Sequence, residues 1–111
     1  MRRLFIESSS FSKKIDGEGT GALASVQTEL LKNLEAGRVI QGTGGLRKLR
    51  VPDAGRGKGK RGGYRVIYLD LPDAKRTHLL AVYDKDEKED ISPEEKKILK
   101  ALVERLKKEV R

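Results

Sequence analysis

Leu23, Val26, Leu30, Leu31 and Leu34 recur at the three- and four-residue intervals of one helical face. They predict an amphipathic helix over roughly 21–36, with Gly37 as its C-terminal stop. Ahead of it, Leu4, Phe5 and Ile6 form a short apolar run that suits a strand, and Ser8, Ser9 and Ser10 offer an N-cap for a short helix through Lys14. After Gly37 the period changes. The stretch GTGGLRKLRV reads as a strand with a glycine-rich entry and an exit at Pro52 and Asp53. GGYRVIYLDL is the strongest strand signal, because Tyr64, Val66, Ile67, Tyr68 and Leu69 all favour β structure. Pro72 and Asp73 end it in a turn, and THLLAVYDK returns as another strand. Ser92, Pro93 and Glu95 then make a capping box, opening a helix whose apolar face is Ile98, Leu99, Leu102, Val103, Leu106 and Val110.

The resulting order is β-α-α-β-β-β-α, an α+β fold in which three consecutive strands form an antiparallel meander with helices packed on one sheet face. Within one strand the alternation puts Lys48 and Arg50 on one side and Arg47, Leu49 and Val51 on the other. In the next, Arg65 shares a side with Ile67, Leu69 and Leu71, which requires the sheet to be open to solvent there. In the last, Leu79, Ala81, Tyr83 and Lys85 are expected on one face. Tyr64 and Tyr68 face away from Arg65 and are expected to pack.

At 111 residues the chain is read as a single domain, 1–111, with a modest aliphatic core: 36% of residues are hydrophobic, 5% aromatic and 38% charged. It has no cysteine, so disulfides and thiolate chemistry are excluded, and any metal site would have to use carboxylates. No metal or cofactor is expected. The acidic run DKDEKED lacks EF-hand spacing and reads as a solvated turn. The N-terminal apolar run is too short for a signal peptide and no stretch is long enough to span a membrane, so a cytoplasmic protein is expected.

Charge sharpens this picture. Between Gly44 and Tyr68 stand Arg47, Lys48, Arg50, Arg56, Lys58, Lys60, Arg61 and Arg65 against the single acid Asp53, so this quarter of the chain carries +7 (8 − 1) of the formal +8. Such a field selects a polyanion, and the expected partner is a nucleic acid. Cleavage of RNA needs a base for the 2′-hydroxyl proton, an acid for the leaving oxygen and positive charge on the phosphorane. Arginine supplies only the last. A lysine crowded by cations has its pKa lowered towards a base's range, a role open to Lys58 or Lys85, with Tyr83 assisting. Arg65, Lys85, Tyr83, Lys58 and Lys60 are thus the candidate constellation. The alternative is a basic module that binds RNA or the ribosome without turnover. The AGRGKGKRGG loop is not a P-loop, since no Gly-Lys pair precedes Ser or Thr. His78, the single histidine, reads as structural.

The phrases VIQGTGGLRKLRV, GKGKRGGYRVIY and AVYDKDEKEDISPEEKKIL, in this order, closely resemble toxins of the RelE/HigB superfamily, above all the HigB-like branch. The resemblance implies a RelE-like fold of two N-terminal helices and a C-terminal helix with a small, mainly antiparallel sheet. It implies a toxin of a toxin–antitoxin module that cleaves mRNA on the ribosome without metal, by attack of the 2′-hydroxyl on the adjacent phosphate. By motif, Arg65 matches the strand arginine that stabilises the scissile phosphate, Lys85 the second basic residue, and Lys58 with Arg56 and Lys60 the basic hairpin. Arg47, Lys48, Arg50 and Arg61 complete the expected RNA-binding set. Where RelE places a C-terminal catalytic tyrosine this chain has Ile91 or Ser92, and Tyr83 is the substitute. The implied partners are a cognate antitoxin with a DNA-binding domain, the ribosome and mRNA, with operator DNA touched only through the antitoxin.

Overall fold

The computed structural model describes residues 3–17, 21–52, 63–84 and 91–109. Ser8 sets the first corner. Its hydroxyl accepts from Phe11 N at 3.1 Å, capping helix α1 (Ser9–Asp16), and donates to Leu80 O at 2.8 Å, fixing the helix to the sheet. Strand β1 (Leu4–Glu7) runs into this corner, and α1 is two residues longer than its expected end at Lys14 because Ile15 is buried.

Helix α2 (Ala22–Lys32) buries Val26 and Leu30 of the predicted stripe together with Ala22, leaves Leu23 partly buried and Leu31 56% exposed, and ends four residues before the expected Ala36. Asn33 leaves the helix in an extended conformation, and the following turn is held from the sheet. Tyr68 donates its hydroxyl proton to Leu34 O at 2.8 Å and accepts from Gly37 N at 3.0 Å. Gly37 is therefore required by a close approach and not by a helix cap: a Cβ there would lie 2.7 Å from the Tyr68 hydroxyl and 3.0 Å from Arg47 Cβ. Burial pushes the Tyr68 phenol up in pKa, against the bond from Gly37 and the field of Arg47.

The strands β2 (Arg38–Val39), β3 (Arg47–Val51), β4 (Tyr64–Leu71) and β5 (Arg76–Asp84) join β1 in one sheet of order β1-β5-β4-β3-β2. The meander β3-β4-β5 is antiparallel as expected. Two features exceed it: β1 pairs parallel to β5, and the two-residue β2 extends the other edge.

A register shift at the Ile67/Tyr68 step corrects the facing of β5. Leu79, opposite Tyr68, packs with Phe11, Val26, Leu30, Leu49, Val51, Tyr64, Val66 and Val82 beneath α1 and α2. Ala81 and Tyr83, expected on the face of Leu79, lie on the other side with Leu46, Ile67, Leu69, Leu80 and Val103. One extra residue in the strand, a bulge, reverses the alternation.

Helix α3 (Pro93–Glu109) packs on this second face, so the helices do not share one face as expected: α1 and α2 cover one side of the sheet and α3 the other. A core that is apolar on both sides of β4 demands the second layer. Its start is the predicted capping box, with Ser92 N donating to Glu95 Oε1 at 3.0 Å and Glu95 N donating to Ser92 Oγ at 3.1 Å. Ser92→Ala should cost about 1 kcal/mol, read as a lower urea midpoint at unchanged slope. At the far end Lys107 Nζ donates to Gly44 O, and Gly44 (φ +81°) keeps the loop against Val103. Ile98, expected on the packed face, is 70% exposed, and Val103 is the one described α3 residue that is fully buried. Val110 lies outside the described residues.

Candidate functional site

The pairing of β3, β4 and β5 writes one row of side chains across the sheet: Arg50 stands opposite Arg65, and Arg65 opposite Tyr83. Directly paired residues hold their Cβ atoms about 5 Å apart on one face, so the three groups are immediate neighbours on the α3 side. Lys48, two residues along β3 from Arg50, occupies that same face opposite Ile67. The structure therefore unites Arg65 and Tyr83, as the sequence pattern expected, and adds Lys48 and Arg50 to them.

Arg65 differs from the expectation in one respect. The face was expected to be open there, yet the side chain is only 6% exposed, beside the buried Tyr83. Its Nη1 donates to Gly63 O at 3.4 Å, on its own strand's entry. A cation in this setting is screened less than one in bulk water, so its field acts more strongly on an approaching anion.

Arg47 is on the opposite face, as the alternation predicted, paired with Tyr68. Its Nη1 donates to Glu35 O at 2.9 Å and Gly37 O at 2.8 Å, so the guanidinium clamps the turn after α2. Lys85, Lys58, Arg56, Lys60 and Arg61 lie outside the described residues, as does the acidic run after Asp84. The connections that carry them leave from Val51 and Asp84 and enter at Tyr64, the residues of the row next to Arg50, Arg65 and Tyr83.

Tyr64 and Tyr68 are buried in the core under α1 and α2, in agreement with the packing role read from their facing. His78 is buried opposite Leu69, and its Nε2 has no hydrogen-bond partner among the described residues. Burial, then the charge of Arg76, hold its imidazole below the ordinary histidine value, while Glu109 of α3 pulls the other way. With the folded value depressed, the unfolded chain takes up the proton first. Stability from neutral His78 is complete above about pH 6.5 and is lost as the pH falls from there towards the folded value. Urea midpoints should drop more between pH 7 and pH 5 in the native chain than in His78→Gln.

Arg38 is the cation that the sequence reading passed over. A two-residue strand has too short a pattern to announce itself, and only its pairing with β3 brings Arg38 opposite Lys48. A groove of about 380 Å³ runs along this edge, lined by Ala36, Arg38, Lys48, Leu49 and Arg50.

Two helices against one face of a small mixed sheet and a third helix on the other define a fold shared with known bacterial toxins. The isolated E. coli RelE toxin superposes with a TM-score of 0.54 at 15% identity, covering 91% of this chain and 99% of that one. The toxin–antitoxin complex E. coli RelBE matches with a TM-score of 0.52 at 15% identity, covering 73% of this chain and 94% of that one. The family model described as the RelE toxin of the RelE/RelB toxin–antitoxin system matches residues 22–110. This chain belongs to the RelE toxin family.

Proposed function

We propose that this protein is a ribosome-dependent endoribonuclease that cuts mRNA and so inhibits translation. The observation that carries the reading is the row Arg50–Arg65–Tyr83, which sets two guanidinium groups and a phenol side by side where the basic connection 53–62 and the acidic connection 85–90, which begins with Lys85, join the sheet strands. The 2′-oxygen attacks the adjacent phosphorus, its proton passes to a base, the bond to the 5′-oxygen breaks and that oxygen is protonated. The products are a 2′,3′-cyclic phosphate and a 5′-hydroxyl. Arg65 stabilises the phosphorane charge, with Arg50 and Lys48 on the flanking phosphate oxygens. Lys85 and Lys58 carry the proton transfers, and Tyr83 orients the reacting oxygen or shares its proton. No step calls for a metal. Arg47, committed to the turn on the other face, is left out of the RNA surface.

The ribosome holds the message in an extended, fixed geometry, supplying the orientation that a site without a strong base needs. In the cell the toxin is held by an antitoxin whose DNA-binding domain makes the operator contacts, as a cytoplasmic pair. The cationic groove and the exposed Ile98 of α3 suit an acidic, amphipathic partner segment. The test is primer extension on a defined message in a purified translation system. Cuts that need both the protein and ribosomes support the reading, and an intact message overturns it.

A further inference from the structure

Four cations share the α3-side face from the central strand β4 out to the β2 edge of the sheet. Arg38 pairs with Lys48 across β2 and β3, Arg50 pairs with Arg65 across β3 and β4, and Lys48 and Arg50 are two residues apart on one strand. Cross-strand neighbours in such a block are about 5 Å apart and neighbours along a strand about 6.7 Å. Like charges placed directly opposite each other oppose strand pairing, so a two-residue strand that sets arginine against lysine is not explained by its own pairing.

The two arginines that flank this edge are used differently. Arg47 gives its guanidinium to the Glu35 and Gly37 carbonyls. Arg38 is exposed, lines the groove, and makes no ion pair or hydrogen bond among the described residues. We propose that Arg38, together with Lys48, binds the phosphodiester adjacent to the one faced by Arg65, so that single-stranded RNA crosses the β2 edge with consecutive phosphates on the two rows. The step along β3 from Lys48 to Arg50 is on the length scale of one sugar-phosphate repeat of an extended strand. The identity of the scissile phosphate rests on the nuclease reading, whereas phosphate binding by Arg38 does not.

The experiment is binding of a fluorescent, uncleavable 2′-O-methyl oligonucleotide to the full chain across a series of salt concentrations. Arg38→Ala should weaken binding about tenfold, the loss of one charge-assisted contact, and lower the slope of log K against log salt by about 0.7. Arg38→Lys should restore most of both. In a scan of single methylphosphonate linkages, one linkage should cost the native chain the same factor and cost Arg38→Ala nothing. In the translation reaction Arg38→Ala should raise KM and leave kcat nearly unchanged. Unchanged affinity and slope, or equal losses at every linkage in both proteins, would overturn the proposal. Failure of the native chain to cut any message, with the oligonucleotide pattern intact, would remove the nuclease reading and leave the Arg38 site standing.

Discussion

Arg65→Ala should lower message cleavage by about 10² to 10³, the usual cost of removing one preorganised donor from a developing oxyanion. Ribosome binding should persist, because Arg38, Lys48 and Arg50 remain and Arg65 contributes little exposed surface. The substitution also takes a guanidinium from a nearly enclosed position, so folding must be read separately by urea unfolding. A rate loss at a preserved midpoint locates the effect in the chemistry. Arg56→Ala is the control: it removes the same charge from the basic segment and leaves the residues of the row unchanged. Equal losses in the two variants, both steep in salt, would mark a module that binds phosphate by total charge and does not catalyse.

Phe11→Ala should destabilise the protein by about 3–5 kcal/mol. Phe11 is wholly buried, and with Ile15 it is one of the two residues by which α1 enters the core. It shares that cluster with Val26 and Leu30 of α2 and Leu79 and Val82 of β5, so the vacated space lies between a helix and a strand and cannot collapse freely. Against a total of about 5–15 kcal/mol this is enough to bring the thermal midpoint down sharply and to lower cleavage through loss of folded protein. Ile98→Ala, on the exposed side of α3, should change stability by less than about 0.5 kcal/mol.

The parts of the fold legible in the sequence are those fixed by local chemistry. Ser92, Pro93 and Glu95 specify the start of α3 within four residues, and Val26 and Leu30 report the buried side of α2. The parts that were not legible depend on partners distant in the chain. Gly37 looks like a helix stop until Tyr68 is seen filling the space beside it. The facing of Leu79 follows from an unpaired step against β4, which no alternation within β5 records. The placement of α3 opposite α1 and α2 becomes readable only once β4 is known to be buried on both sides.

The candidate site divides in the same way. Strand alternation placed Arg65 apart from Tyr64 and Tyr68, and Arg47 apart from Lys48 and Arg50. It could not show that Arg47 would be taken by backbone carbonyls, or that Arg38 would come alongside Lys48, since both depend on the path of the chain between α2 and β3.

The parallel ladder that sets Leu4 against Arg76 and Glu7 against Leu79 spans most of the polypeptide. Contacts this remote in sequence close late, because the entropy of the intervening loop must be met first. During synthesis β1 has no strand to join until β5 has been made, and the row from Arg50 to Tyr83 is likewise incomplete until then. The order of manufacture thus keeps the nascent chain without β1 in its sheet, and without Tyr83 in its row, for most of its time on the ribosome that is translating it.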